Sequence, residues 1–141
     1  MNTPVSLEVG AVVDRYTIER PLGEGGMAMV FKVRHNGLGT SHALKVITLN
    51  NAEIRRRLVQ EGELQGRLQH ANIVSVTDIV ELPTGPALVM EFVDGPSLDQ
   101  LLRARQLTLQ QADELAVGLL AGVAAAHARG LVHRDLKPGN I

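Results

Sequence analysis

The sequence predicts an α+β fold in which an antiparallel sheet with one helix is followed by a helical region. Three observations lead to this prediction. The first two thirds of the chain alternates short β-rich runs with glycine-containing turns, and one long segment there has helical periodicity. The last third begins with two helix-capping sequences. With 141 residues the chain is long enough for about one domain with a buried core.

Five short apolar runs predict the strands of the sheet. The connections between them are rich in glycine and proline, as in Asn36-Gly37-Leu38-Gly39 and Leu82-Pro83-Thr84-Gly85-Pro86, so neighbouring strands are expected to be antiparallel. Residues 1–12 are expected to form a loosely packed leader. The predicted strands are residues 16–22, 29–33, 43–47, 73–80 and 87–93.

Helical periodicity covers residues 52–68, where Ile54, Leu58, Leu64 and Leu68 share one stripe. Two later helices are predicted from capping boxes, Ser97-Leu98-Asp99-Gln100 and Thr108-Leu109-Gln110-Gln111. The second of these helices is expected to stop at Gly130, because glycine favours the position after a helix C-terminus.

The composition excludes several classes of function. Fourteen Lys and Arg against 15 Asp and Glu leave a net charge of -1, which gives no electrostatic reason to bind nucleic acid or an anionic membrane. The absence of cysteine excludes disulfides and thiolate sites. The N-terminus lacks the features of a secretory signal, and the longest apolar stretch, residues 115–126, is too short to span a bilayer. We therefore expect a cytoplasmic location with no membrane contact in this chain, while a longer parent protein remains free to be anchored through a later segment.

A glycine-rich turn, Gly23-Glu24-Gly25-Gly26-Met27-Ala28, is the first candidate for chemistry. It nearly matches G-x-G-x-x-G, with Ala28 in the place of the third glycine. A dinucleotide-binding turn must open a helix, and residues 29–33 predict a strand instead. Two interpretations stay open: an ordinary hairpin, or a flap whose backbone N–H groups approach phosphate oxygens.

Lys45 and Glu61 form the second candidate. Lys45 lies inside an apolar strand, where a lysine is most often a solvent-facing residue. On the helical wheel Glu61 lies within about 20° of Ile54, in the middle of the apolar stripe, whereas Glu63 faces the other way. A carboxylate on a buried face needs a cation. If the ion pair is purely structural, the candidate partner of Glu61 is Arg57, one turn earlier on the same helix. If the pair serves a function, the candidate partner is Lys45.

The last eleven residues carry the most specific pattern. His133-Arg134-Asp135-Leu136-Lys137-Pro138-Gly139-Asn140 matches H-R-D-L-x-x-x-N at every fixed position. In such a segment Asp135 can accept a hydroxyl proton, Lys137 can neutralise a phosphoryl group, and Asn140 can offer an amide oxygen to Mg²⁺.

Taken together, these motifs resemble the N-terminal part of eukaryotic-like serine/threonine protein kinases of the kind found in bacteria. The Lys two residues after Asp135 is typical of the serine/threonine class. The matching segments run from about residue 16 to the last residue and are Leu22-Gly23-Glu24-Gly25-Gly26-Met27-Ala28-Met29-Val30, Ala43-Leu44-Lys45, Glu61, His70-Ala71-Asn72-Ile73-Val74, Val89-Met90-Glu91-Phe92-Val93-Asp94-Gly95 and residues 133–140.

The resemblance implies ATP and Mg²⁺ as cofactors and a Ser/Thr-containing protein as substrate. It implies that the turn from Leu22 to Val30 covers the phosphates, that Lys45 paired with Glu61 holds the α- and β-phosphates, and that Asp135 is the catalytic base. The residues implied around the adenine are Val30, Ala43, the gatekeeper Met90, and the hinge residues Glu91 and Val93. An arginine directly before the catalytic aspartate, as Arg134 is here, resembles the pattern of kinases that are switched by phosphorylation of their activation loop.

The resemblance further implies a domain plan: a leader (1–12), a kinase N-lobe with a five-stranded sheet and one helix (13–93), and the hinge exit with the first helices of an incomplete C-lobe (94–141). The Asp-Phe-Gly segment, activation loop and remaining helices of a kinase are not in the sequence, so we expect this chain to be a fragment that is inactive and poorly soluble by itself. Dimerisation through the N-lobe is an expectation for the parent. Two alternatives stay open, a nucleotide-binding regulatory module without transferase activity and a plain interaction domain.

Overall fold

The computed structural model describes residues 7–25, 28–49 and 51–141. The strands are β1 (Val12–Val13), β2 (Tyr16–Glu24), β3 (Ala28–His35), β4 (Ser41–Ile47), β5 (Val76–Leu82) and β6 (Gly85–Glu91). The α-helices are α1 (Ala52–Gly66), α2 (Leu98–Ala104) and α3 (Leu109–Ala128), and a single 3₁₀ turn covers Pro138–Asn140.

The described strands form one antiparallel sheet of six strands in the order β1-β2-β3-β4-β6-β5. The prediction of an antiparallel sheet with one helix is confirmed, but its count of five strands is wrong by one. The additional strand lies at the end of the expected leader, where Val12 and Val13 pair with Thr17 and Tyr16. Val13 is buried in the core, which explains why this end of the segment is ordered: it covers the edge of β2 and removes apolar surface from water.

The main core lies on one face of the sheet. Its largest fully buried side chains are Ile18, Val33, Leu44, Val80 and Val89. Burying an aliphatic side chain of this size is worth about 1.5–3 kcal/mol, so a mainly aliphatic layer, with Tyr16 and Phe31 as its aromatic members, stabilises the sheet.

Helix α1 packs on the opposite face of the sheet. Its N-cap is Asn51, whose side-chain oxygen accepts hydrogen bonds from the backbone of Glu53 and Ile54. The smaller apolar cluster beneath the helix is centred on Leu58, Val76 and Leu88. This face of the sheet also carries Val30, Ala43 and Lys45.

Among the described residues the chain divides into two compact units. The first extends to Arg67 and includes Ser75–Phe92, and the second comprises Leu68–Val74 and Val93–Ile141. Residues 68–74, which sequence analysis placed with the sheet, therefore belong to the helical unit. In that unit both predicted capping boxes are present, at Ser97 and at Thr108, and α3 ends just before Gly130, which has a φ of 77°. No described helix combines the length and apolarity that a membrane span requires.

Candidate functional site

A row of four residues crosses the sheet face on which α1 packs. The strand register places Gly23, Val30, Lys45 and Leu88 opposite one another on β2, β3, β4 and β6. Since side chains of directly paired residues point to the same face, Val30 and Lys45 lie side by side there. Lys45 is half-buried.

The neighbouring row on the same face contains Lys32, Ala43 and Met90. Ala43 is buried and small, and Met90 is half-buried. The sheet thus brings Val30, Ala43, Lys45 and Met90, predicted from separate motifs, onto one surface.

The glycine-rich turn joins β2 to β3, with Gly26 and Met27 outside the described residues. The backbone N–H of Gly25 donates to the carbonyl of Ala28 at 2.8 Å. Neither Gly23 nor Gly25 has a positive φ, and a Cβ would meet no atom within 4 Å at Gly23 and only a carbonyl at 3.9 Å at Gly25. Among the residues that the structure describes, neither backbone conformation nor packing requires glycine at these two positions. A backbone without side chains at these positions leaves room for another molecule to approach closely.

The predicted ion pair between Lys45 and Glu61 is not formed. None of the ion pairs among the described residues includes either side chain, and Glu61 is exposed. The local alternative is also absent, because Arg57 pairs with Glu53 one turn earlier. The prediction that Glu61 lies in the middle of the buried stripe of α1 is therefore wrong.

The reason lies in Gly62, the next residue along the helix. The buried residues of α1 are Leu58 and Gly62. A Cβ at Gly62 would lie 2.5 Å from Cδ2 of Leu88 and 3.6 Å from Cδ1 of Ile79. The helix approaches the sheet most closely where it has no side chain, which turns Glu61, about 100° further round, away from the sheet.

The carboxylate of Asp135 lies in a compact polar loop that follows α3. The Asn140 Nδ2 group donates to the backbone carbonyl of Asp135 at 2.9 Å and to its carboxylate at 3.3 Å. The Lys137 ammonium lies 3.6 Å from the same carboxylate. The loop therefore brings together the three residues that sequence analysis selected from this segment. All three are exposed, so the carboxylate is accessible from solvent.

Two local features shape this loop. Arg134 has a φ of 68°, a left-handed conformation that is uncommon for a residue other than glycine and tends to occur at functional sites. The His133 ring accepts a hydrogen bond from the backbone N–H of Asp135 at 3.1 Å. Both features orient the peptide that carries Asp135.

The amide of Asn140 suits a hard cation. Its Nδ2 group makes both contacts to Asp135, which directs the amide oxygen away from that residue. An amide oxygen of this kind is a ligand that Mg²⁺ accepts together with water and phosphate oxygens. Among the described residues no three His, Asp or Glu side chains form a cluster that could hold a metal by themselves, so Asn140 would be one ligand among several.

The segment after Met90 was predicted to bind a base through its backbone. The N–H of Glu91 already donates to the carbonyl of Ser75 at 2.8 Å, so this group is engaged within the sheet. Val93 is exposed.

Two groups of contacts were not predicted from the sequence. Asn72 donates from Nδ2 to the carbonyl of Gly118 at 2.9 Å, which attaches residues 68–74 to α3. The signal for it is present in the motif that begins at His70, whose ring accepts a hydrogen bond from the Asn72 backbone N–H.

The second group surrounds Tyr16, which is 4% exposed and donates to Asp78 at 3.0 Å. Burial and this hydrogen bond raise the pKa of Tyr16 to about 12. The Tyr16 ring meets the rings of His35 and His42 edge to face. Burial, and then the neighbouring His35, lower the pKa of His42.

Comparison with known proteins agrees with the motifs. The model of the protein kinase domain matches residues 16–141. The serine/threonine-protein kinase PknJ of Mycobacterium tuberculosis is 36% identical over 138 residues, which are 96% of this chain and 23% of that protein. The probable serine/threonine-protein kinase PknB of Lactococcus lactis is 36% identical over 141 residues, with 96% and 22% covered. The chain thus spans less than a quarter of the length of these relatives.

The fold of this chain is also similar to solved structures of kinase domains. The PknI kinase domain of Mycobacterium tuberculosis superposes with a TM-score of 0.81 at 32% identity, covering 96% of this chain and 57% of that one. A single-substitution variant of that domain gives a TM-score of 0.83 at the same identity and the same coverage.

Proposed function

The chain belongs to the protein kinase domain family, in the eukaryotic-like serine/threonine group found in bacteria, and we propose that it carries the nucleotide-binding sheet and the catalytic loop of an ATP-dependent protein serine/threonine kinase. The observation that carries this proposal is the loop in which Asp135, Lys137 and Asn140 converge. The proposed reaction moves the γ-phosphoryl group of ATP to a Ser or Thr hydroxyl of a protein.

The sheet supports the nucleotide-binding half of the proposal. Gly23 and Gly25 leave the backbone of the turn open to a close ligand, and Lys45 presents an ammonium on the same face as Val30 and Ala43. An ammonium on this surface neutralises phosphate charge, while the small Ala43 leaves space for a flat base.

The loop supports the transfer half. The Asp135 carboxylate accepts the hydroxyl proton while the hydroxyl oxygen bonds to phosphorus and the bond from phosphorus to the ADP oxygen breaks. Lys137, held near that carboxylate, neutralises the phosphoryl oxygens. Asn140 offers its amide oxygen to Mg²⁺, which when bound shields the charge of the phosphates.

A nucleotide-binding regulatory module without transferase activity is the second candidate. The observation that favours it is the exposed Glu61, which leaves Lys45 without the carboxylate partner that the family pairs with this lysine. The two candidates share nucleotide binding and differ in phosphate transfer.

Two variants separate the candidates. In the longest natural chain that contains these 141 residues, Asp135→Asn should lower phosphate transfer to a generic protein substrate by about 10²–10⁴-fold and leave ATP affinity nearly unchanged, because Asp135 acts on the hydroxyl. Lys45→Met should weaken ATP binding itself, since it removes a charge next to the phosphates. ATP binding without transfer in the wild type would favour the regulatory module, and equal loss of both properties in Asp135→Asn would show a structural role for Asp135.

The remaining parts of the proposal follow from the family. We propose that the 141-residue chain by itself binds nucleotide and does not transfer phosphate, because it lacks the Asp-Phe-Gly segment. Its poor solubility in isolation, a cytoplasmic location, and dimerisation of the parent protein through the sheet-containing unit stay predictions. A radioactive ATP assay on the isolated chain tests its inactivity.

A further inference from the structure

Lys32 holds a position on the sheet that none of the kinase motifs explains. Its ammonium lies 3.4 Å from the carboxylate of Glu19 and 4.9 Å from the centre of the Phe92 ring. The Lys32 side chain is 24% exposed, so both interactions are partly shielded from water. An ammonium over an aromatic face is attracted by the negative face of the ring.

A bulge in β2 brings Glu19 to Lys32. The register pairs Ile18 with Val33 and Arg20 with Lys32, which leaves Glu19 as the additional residue on β2. A bulge of this kind redirects the side chain of the residue at it. The carboxylate is thereby turned toward the face that carries Lys32, Ala43 and Lys45.

The contact with Phe92 connects strands that are not neighbours. Strand β4 lies between β3 and β6, so the Lys32 side chain must cross β4 to reach Phe92, which follows the end of β6. The β4 residue directly opposite Lys32 is Ala43, and Phe92 lies two residues beyond Met90, the β6 residue paired with Ala43. Through its contacts with Glu19 and Phe92, Lys32 on β3 thus connects β2 to the segment that follows Met90.

We propose that Lys32 is a positioning residue for the base of an adenine nucleotide: through Phe92 it holds the backbone of residues 90–92 in place beside Ala43. This inference rests on the proposed function, since it takes the Ala43 surface as the base site. Lys32 acts on the base end of the nucleotide, whereas Lys45 acts on the phosphates. The two lysines therefore differ in which part of the ligand they affect.

This division predicts a distinct pattern across ligands. Loss of a partly shielded cation–π contact should weaken binding by about 2-fold to 10-fold. Because the effect passes through the base, the factor should be equal for adenosine, ADP and ATP. Lys45→Met should instead weaken ATP and ADP far more than adenosine.

Titration calorimetry of the longest natural chain that contains these 141 residues, with adenosine, Mg-ADP and Mg-ATP, tests the inference. Lys32→Met should weaken all three ligands by the same factor, and Lys32→Arg should restore binding because a guanidinium keeps both the charge and the stacking. Arg34→Met is the matched control: it removes one exposed cation from the same strand and face, and all three affinities should stay unchanged.

Phe92→Leu provides a second route. It should weaken the three ligands as Lys32→Met does, and the double variant should add little, because both changes break one contact. A loss in Lys32→Met that grows from adenosine to ATP would overturn the proposal in favour of direct phosphate contact, and so would unchanged adenosine affinity. A wild-type chain that binds none of the three ligands would reject the proposed function and this inference with it, an outcome distinct from the failure of Lys32 alone.

Discussion

Gly62→Ala tests the packing of α1, the helix that carries Glu61. The added Cβ would lie 2.5 Å from Cδ2 of Leu88, about 1 Å closer than the usual separation of carbon atoms in contact. Leu88 is 4% exposed, so its methyl group has little space to move. Overpacking of this kind costs about 1–3 kcal/mol, and alanine returns about 0.8–1 kcal/mol in helix propensity. We expect a net loss of up to about 2 kcal/mol in the free energy of unfolding.

Gly66→Ala on the same helix is the matched control. Its Cβ would lie 3.6 Å from the carbonyl oxygen of Val76, an ordinary contact, so it should gain about 0.4–1 kcal/mol. The two variants should therefore differ by about 1–3 kcal/mol, or roughly 0.5–1.5 M in urea midpoint at an m-value of about 2 kcal/mol/M. Urea unfolding followed by circular dichroism measures this difference. If Gly62→Ala were as stable as Gly66→Ala, the helix would not be seated on Leu88, and the orientation that exposes Glu61 would be wrong.

Two further predictions concern pH and the helical unit. The fold lowers the pKa of His42 from 6.5, so the contribution of neutral His42 to the free energy of unfolding is fully present above pH 6.5 and is lost as the pH falls. The fold raises the pKa of Tyr16 from 10 to about 12, so the contribution of neutral Tyr16 is fully present below pH 10 and is lost as the pH rises toward 12. Urea midpoints measured across this range should show both limbs, with Tyr16→Phe removing the alkaline limb and His42→Gln flattening the acidic one; a flat profile in the wild type would contradict the assignment. Asn72→Ala should destabilise the helical unit by about 0.5–1.5 kcal/mol through loss of its bond to Gly118. Amide exchange in α3 should accelerate accordingly, and unchanged protection would show that the bond contributes nothing.

Much of the fold could be predicted from the sequence because it depends on neighbours along the chain. The two capping boxes and the stop at Gly130 involve residues a few positions apart, and their residue types are sufficient to specify them. The loop with Asp135, Lys137 and Asn140 is equally local, since its first and last members are five positions apart. Five of the strands were predicted from local alternation and turns, with errors of a few residues at their ends, whereas β1 was not predicted.

Only the tertiary structure decided which residues meet across the sheet. Hydrophobic periodicity placed Glu61 at the centre of the buried face of α1. A helical wheel identifies the buried face from apolar side chains, so it does not recognise a face that is buried at a glycine. The helix instead rests on the sheet at Gly62, where Leu88 and Ile79 fill the space that a side chain would occupy. The contacts of Lys32 depend likewise on a bulge in β2, which brings Glu19 to it, and on the strand order, which brings Phe92 to the same face. Such arrangements are set by the shapes of surfaces distant in sequence, and no local pattern in the chain encodes them.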